Sequence, residues 1–175
     1  MRTRLACGGL LWLLGSSGCS PTLDWRELRG PINGVRVSLP CRPAVMKREP
    51  RIAGRALPMA VHVCETAGTT WAVGWVHPIE GADASQVQAA LLLAAASNLG
   101  MADVPRQTEW QPRSGRAQAK GLRIELQGRL PDGTPVRSLV GAIALQAGVV
   151  QLTAIGRAPD PDAVAVFFES LRLQD

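Results

Sequence analysis

The sequence contains no tyrosine and only two phenylalanines among its 175 residues. A site built on a tyrosine nucleophile or general acid is therefore excluded, and the core must consist mainly of aliphatic side chains. Apolar residues make up 46% of the chain and charged residues 19%, proportions that are typical of a globular protein. The length is sufficient for a single domain with a buried core.

Histidines and short catalytic motifs are also scarce. His62 and His77 are the only histidines, and the sequence contains no GxSxG, HExxH or CxxC motif. Hydrolases need a nucleophile beside an oriented base, and such motifs commonly supply these groups. The sequence therefore predicts a non-catalytic protein without a cofactor. A pair of carboxylates distant in sequence is the alternative that would support an enzyme.

No apolar run approaches the roughly 20 residues that a helix needs to cross a bilayer. The most apolar stretch near the start, residues 5–14, follows Arg2 and Arg4 and precedes four small residues at 15–18. This order is typical of a secretory signal. Because Arg2 and Arg4 are not adjacent, a twin-arginine signal is excluded. Residues 1–18 are therefore predicted to be a signal peptide.

The four residues Ser16-Ser17-Gly18-Cys19 resemble the lipobox of bacterial lipoproteins, although Ser16 stands where that family usually has leucine. The resemblance implies that Cys19 becomes the first residue and carries the lipid, palmitate included. Ser20 after the cysteine implies sorting to the outer membrane, facing the periplasm. We then expect a lipidated tether at 19–33 and one domain at 34–175. Simple secretion after the same cleavage is the alternative.

Of the four cysteines, Cys7 lies in the predicted signal and Cys19 in the lipobox, which leaves Cys41 and Cys64. A pair of cysteines in an oxidising compartment predicts a disulfide, which contributes about 3 kcal/mol for a loop of this length. The alternative is a copper or zinc site, or a redox site, that also uses His62 and His77. His62 and Cys64 would share one face of a strand, but no recognised metal-binding spacing is present.

Alternating apolar and polar residues predict strands at about 34–40, 44–54, 57–65, 69–77, 120–130, 135–145 and 148–158. Helices are predicted at about 84–99, with Asp83 or Ser85 as the cap, and at about 161–171, after Asp160. Segment 69–77 has Trp71 and Trp75 on one face and small residues on the other. This contrast predicts that another element packs closely on the small side.

Short connections between consecutive strands favour an α+β fold, with an antiparallel sheet of about six to seven strands and two helices packed on it. The pattern resembles the PsbP-like fold over residues 34–173. The residues that carry this resemblance are the strand GVRVSLP, the helix within 83–100, the hairpin 135–157 and the closing FFESLRL. The chain also resembles small bacterial envelope lipoproteins of unassigned role. The PsbP-like resemblance implies an accessory or binding module.

Residues 101–119 have no periodicity and contain Arg106, Trp110, Arg113 and Arg116. An exposed tryptophan among arginines is typical of interface anchors, so this loop is the candidate segment for binding a partner. The sequence favours the other interpretation, a solvated loop with Trp110 buried.

After residue 18 the chain has 17 basic and 14 acidic residues, a net charge of +3 without a run of like charges. The expected partners are the membrane, through the lipid, and an envelope protein, not nucleic acid.

Overall fold

The computed structural model describes residues 22–52, 55–77, 83–114 and 119–174. The predicted signal peptide and Cys19 lie outside these residues. No described helix is both long and apolar enough to span a membrane. In chain order the elements are β1 (Arg26–Arg29), β2 (Val35–Leu39), β3 (Ala44–Arg48), β4 (Arg51–Ile52), β5 (Arg55–Ala56), β6 (Met59–Thr66), β7 (Thr69–Val76), α1 (Ala84–Ser97), β8 (Thr108–Trp110), β9 (Arg113–Ser114), β10 (Gly121–Arg129), β11 (Pro135–Leu145), β12 (Gly148–Gly156), α2 (Pro161–Glu169) and β13 (Arg172–Leu173).

Seven strands form one antiparallel sheet in the order β3-β6-β7-β12-β11-β10-β8. The predicted α+β class, with an antiparallel sheet of this size and two helices, is confirmed. β3 lies at one edge of the sheet, which agrees with the disruptive effect of the following Pro50 on strand pairing.

A second, smaller sheet has the order β1-β2-β13-β9, in which β13 and β9 pair in parallel. Residues 26–29, which lie within the predicted tether, pair with residues 36–39 of β2. Leu23, Trp25 and Leu28 also pack against the core. The folded unit therefore includes residues 23–33 as well as the predicted domain.

One face of the large sheet packs against the small sheet and α2. Trp71 and Trp75 are almost completely buried in this core, together with Phe167 of α2. The rings of Trp71 and Phe167 meet edge to face, with centroids 5.4 Å apart. α2 begins after Asp160, which accepts a hydrogen bond from the Asp162 backbone, and Pro161 occupies its first turn.

The opposite face of the large sheet carries α1, which lies over β10, β11 and β12. Asp83 caps its first turn, as one of the two predicted capping residues, and Gly100 follows its end with a φ of 76°. The buried Gln88 side chain donates a 2.7 Å hydrogen bond to the Ala142 carbonyl of β11. α1 therefore has a fixed position on one half of this face.

Candidate functional site

The predicted disulfide between Cys41 and Cys64 is confirmed. The two sulfur atoms are 2.08 Å apart and the Cα atoms 5.9 Å apart. The bond links the residues just before β3 to β6, the strand that pairs with β3. It therefore fixes the start of the edge strand, and it occupies both sulfurs.

The residues of the alternative metal site are not assembled as a ligand set in this oxidised form. Nδ1 of half-buried His62 accepts a 3.1 Å hydrogen bond from the indole N–H of Trp75. Burial lowers the pKa of His62. His62 lies opposite Val73, so His77 is four residues further along β7, roughly 13 Å away. Among the described residues no group of three or more His, Cys, Asp or Glu could hold a metal ion.

Trp110 is buried, as in the favoured interpretation of segment 101–119, and is not an exposed interface anchor. Trp110 belongs to β8, is only 8% exposed and packs on Phe168 with ring centroids 5.4 Å apart. Its partner across the sheet is Gly121, where a Cβ atom would lie 2.5 Å from the indole ring. The absence of a side chain at Gly121 therefore makes room for Trp110.

The predicted arginines have separate positions. Arg106 is exposed, whereas Arg113 donates a 3.2 Å hydrogen bond to the Glu169 carboxylate on α2. Arg116 lies outside the described residues. Since Trp110 is buried, it does not serve as an exposed anchor beside Arg106 or Arg113, and the role of the arginines in partner binding stays a prediction.

A cavity of about 590 Å³ lies between α2 and the strands β10 and β11. Phe168 and Leu139 contribute apolar lining, while Arg123, Arg137 and Glu125 supply charges of both signs. This mixture gives the cavity little net charge, and nothing in its lining favours one class of ligand.

The strands β3, β6 and β7 present an apolar surface on the face that carries α1. Met46, Val61, Val63 and Ala72 are half-buried, and none of them packs against either hydrophobic core. Met46 lies opposite Val61, and Val63 lies opposite Ala72, so the four side chains are contiguous. We call this surface of four residues the open face.

The expectation that an element packs closely on the small side of β7 holds only in part. Val76 packs in the core beneath α1, and Gly74 is covered by the end of the Met59 side chain. Ala72 and Thr70, in contrast, remain half-buried because α1 lies over β10, β11 and β12. Half of the sheet face is therefore not covered by a described helix.

A groove of about 460 Å³ runs along the flank of α1 and borders the open face. Its lining includes Leu91 and Ala95 on the helix, Leu99 just after the helix, and Met59 and Ile155 on the strands. Ile155 lies opposite Thr70 on β7, next to the open face. The groove and the open face thus form one continuous, mostly apolar surface.

The edge of the open face is strongly basic. Residues 42–55 contain five basic side chains and one acidic side chain, a net charge of +4, and all six are exposed. The members of this basic rim are Arg42, Lys47, Arg48, Glu49, Arg51 and Arg55. The sequence analysis missed this rim because its charges are spaced along the chain and form no run.

The open face was missed for a different reason. Residues 59–64 alternate between two faces that are both apolar, so the pattern does not indicate which face α1 covers. Comparison with known proteins does not identify this surface either. The chain matches no protein-family model and no curated protein.

Proposed function

We propose that this chain is a lipid-anchored protein of the bacterial envelope that binds a protein partner through the open face and does not itself catalyse a reaction. The observation that carries the proposal is the contiguous apolar surface of Met46, Val61, Val63 and Ala72 beside α1. Contiguous exposed apolar surface on a soluble domain commonly marks an interaction site.

The charge of the rim indicates the chemistry of the partner. An apolar segment flanked by acidic residues would cover the open face and meet the guanidinium groups of Arg48, Arg51 and Arg55 at its border. Charge complementarity of this kind orients a partner and accelerates its association. The open face spans three strands, with roughly 10 Å between the outer two, which is about the width of one helix of the partner.

The sequence supports the envelope location. Cys19 follows an apolar stretch and four small residues, in the order found in bacterial lipoproteins. The disulfide between Cys41 and Cys64 is of the kind that persists in an oxidising compartment such as the periplasm. Ser20 after the cysteine favours the outer membrane as the site of anchoring.

Substitutions at the open face test the proposed partner binding. The lipoprotein is purified from its own envelope after crosslinking, as wild type and as the variants Val61→Asp and Val63→Asp. The matched controls are Leu93→Asp and Val166→Asp, since Leu93 is 46% and Val166 is 49% exposed on the outer sides of the helices. We expect a partner that is at least ten-fold depleted in both open-face variants and retained in both controls.

Thermal unfolding of each variant shows whether the loss of binding follows from loss of folding. A partner set that is unchanged in folded Val61→Asp and Val63→Asp proteins would show that the open face is not the binding site. Intact mass of the mature protein tests the anchor separately. The unmodified mass of the processed chain would exclude lipidation at Cys19.

A further inference from the structure

A shallow depression of about 390 Å³ at one end of the large sheet is lined by three arginines, Arg129, Arg137 and Arg157. They come from the ends of three adjacent strands. Arg129 closes β10, Arg137 is near the start of β11, and Arg157 follows Gly156, which lies opposite Arg137. All three side chains are exposed. This cluster is separate from the open face and from the basic rim.

The charges of the three arginines are only slightly compensated. Arg129 donates a 2.8 Å hydrogen bond to the Gly133 carbonyl, which leaves its charge in place. None of the three forms an ion pair with another described residue. The Asp132 carboxylate lies close enough to Arg157 for the two charges to interact. Hydrogen bonds from Thr134 lower the pKa of Asp132, and the charge of Arg157 adds to this effect.

The depression lies at the end of the sheet from which the chain leads back toward Cys19. The Thr66 hydroxyl donates a 2.8 Å hydrogen bond to the carbonyl of Thr22, the first described residue. Thr66 on β6 pairs with Thr69 on β7, and Thr69 pairs with Gly156 on β12. Gly156 in turn pairs with Arg137 on β11. These residues form one row across the sheet, so Arg137 is three strand spacings, roughly 14 Å, from Thr66.

Only two residues lie between Cys19 and Thr22, and the three Cα–Cα steps from Cys19 to Thr22 span at most about 10 Å. A lipid on Cys19 therefore holds this end of the sheet close to the headgroups of the bilayer. Guanidinium groups bind phosphate oxygens through paired hydrogen bonds, and they are attracted to an anionic lipid surface.

We propose that the depression formed by Arg129, Arg137 and Arg157 docks on anionic phospholipid headgroups of the membrane that holds Cys19. The proposal rests on the lipid anchor of the proposed function and assigns a second contact with the same membrane. Lipid and arginines together fix two points of the domain against the bilayer. Arg48, Arg51 and Arg55 of the basic rim then lie toward the far end of the sheet, where Arg48 pairs with Met59 at the start of β6.

Lipid binding by the detergent-purified mature protein, taken from its own envelope, tests the proposal. Bound lipid is counted by native mass spectrometry during titration with phosphatidylglycerol, phosphatidylcholine or inorganic phosphate. We expect phosphatidylglycerol to bind at least ten-fold more tightly than phosphatidylcholine. The triple variant Arg129→Gln, Arg137→Gln, Arg157→Gln should lose on the order of 100-fold in affinity for phosphatidylglycerol.

The matched control is the triple variant Arg48→Gln, Arg51→Gln, Arg55→Gln, which removes the same charge from the basic rim. It should keep wild-type lipid binding and lose the protein partner instead. Equal loss of lipid binding in the two triple variants would show that only total charge matters, and would overturn the proposal. Equal binding of the two lipids would overturn it as well.

Inorganic phosphate distinguishes a membrane contact from a site for a free anion. Phosphate that displaces the lipid at millimolar concentration would identify a free-phosphate site and overturn the docking proposal. In the same spectra, the mass of the mature protein tests the lipid anchor at Cys19 separately from the docking surface. Absence of acyl chains refutes the anchor, whereas an acylated protein without lipid preference refutes only the docking surface.

Discussion

Trp75 and His62 form a polar pair beside the aromatic core. The Trp75 side chain is fully buried, and its indole N–H has Nδ1 of His62 as acceptor. A protonated imidazole carries hydrogen on both ring nitrogens and cannot accept this bond. Burial already lowers the pKa of His62, so the folded state resists protonation. The pair therefore makes the stability of the domain sensitive to mildly acidic pH.

Replacing His62 with glutamine should reduce this sensitivity. The unfolded state takes up a proton near the ordinary pKa of 6.5, and the folded state does so only at lower pH. Wild-type stability is therefore complete above this value and falls as the pH drops below it, because the unfolded state binds more protons. Glutamine still offers an acceptor to Trp75 but does not titrate.

Urea unfolding at several pH values between 5 and 8 measures the effect, with the His77→Gln variant as the control because His77 is exposed. His62→Gln should lose less stability on acidification than wild type, and His77→Gln should behave like wild type. An identical pH dependence in all three proteins would contradict the expected role of His62.

Among single residues, sequence reasoning identified the partner of Cys41 and favoured burial of Trp110, but it did not identify the residues that bury Trp110. The cysteine pairing follows from counting, since Cys7 and Cys19 have other predicted roles. The burial of Trp110 depends on Gly121 across the sheet and on Phe168 from α2. Such contacts join distant parts of the chain, and the local pattern of residues 101–119 contains no sign of them.

Among the elements, α2 illustrates how a local pattern determines packing. Its cap and its apolar stripe predicted both the start of the helix and the buried face. Val164, Phe167 and Phe168 are buried, and Leu171 just beyond the helix is fully buried. The two-residue strands β9 and β13 could not be predicted, because their pairing joins the last residues of the chain to β2 and to the segment after β8.

Phe167→Ala should destabilise the domain by about 3–5 kcal/mol, the usual cost of truncating a buried aromatic side chain. Phe167 is completely buried and contacts the rings of both Trp71 and Phe168. The neighbouring Val166 is 49% exposed, so Val166→Ala should change the free energy of unfolding by less than about 0.5 kcal/mol. Denaturant unfolding measures both values, and similar values for the two variants would contradict the packing of α2 on the sheet.

At the scale of the whole molecule, the arginine depression and the part of the basic rim that starts at Arg48 lie at opposite ends of the large sheet. Arg137 shares a cross-strand row with Thr66, whereas Arg48 shares a row with Met59 and Val76. Seven residues of β6 separate these rows, a distance of roughly 24 Å. A protein anchored near Thr22 could therefore hold one basic surface against the membrane and present the other, with the open face, to a partner in the periplasm.

This orientation predicts unequal distances from the bilayer for two labelled positions. Glu65 is exposed one residue before Thr66, and Gln146 is exposed in the turn between β11 and β12, roughly 24 Å away along the sheet. A fluorescent amino acid is placed at either position in the lipidated protein, which is reconstituted in vesicles containing headgroup spin-labelled lipid. The label at 65 should be strongly quenched and the label at 146 only weakly. Equal quenching would mean that the domain moves freely on its lipid. Stronger quenching at 146 would mean that the opposite end of the sheet faces the membrane, which would contradict the roles assigned to both basic surfaces.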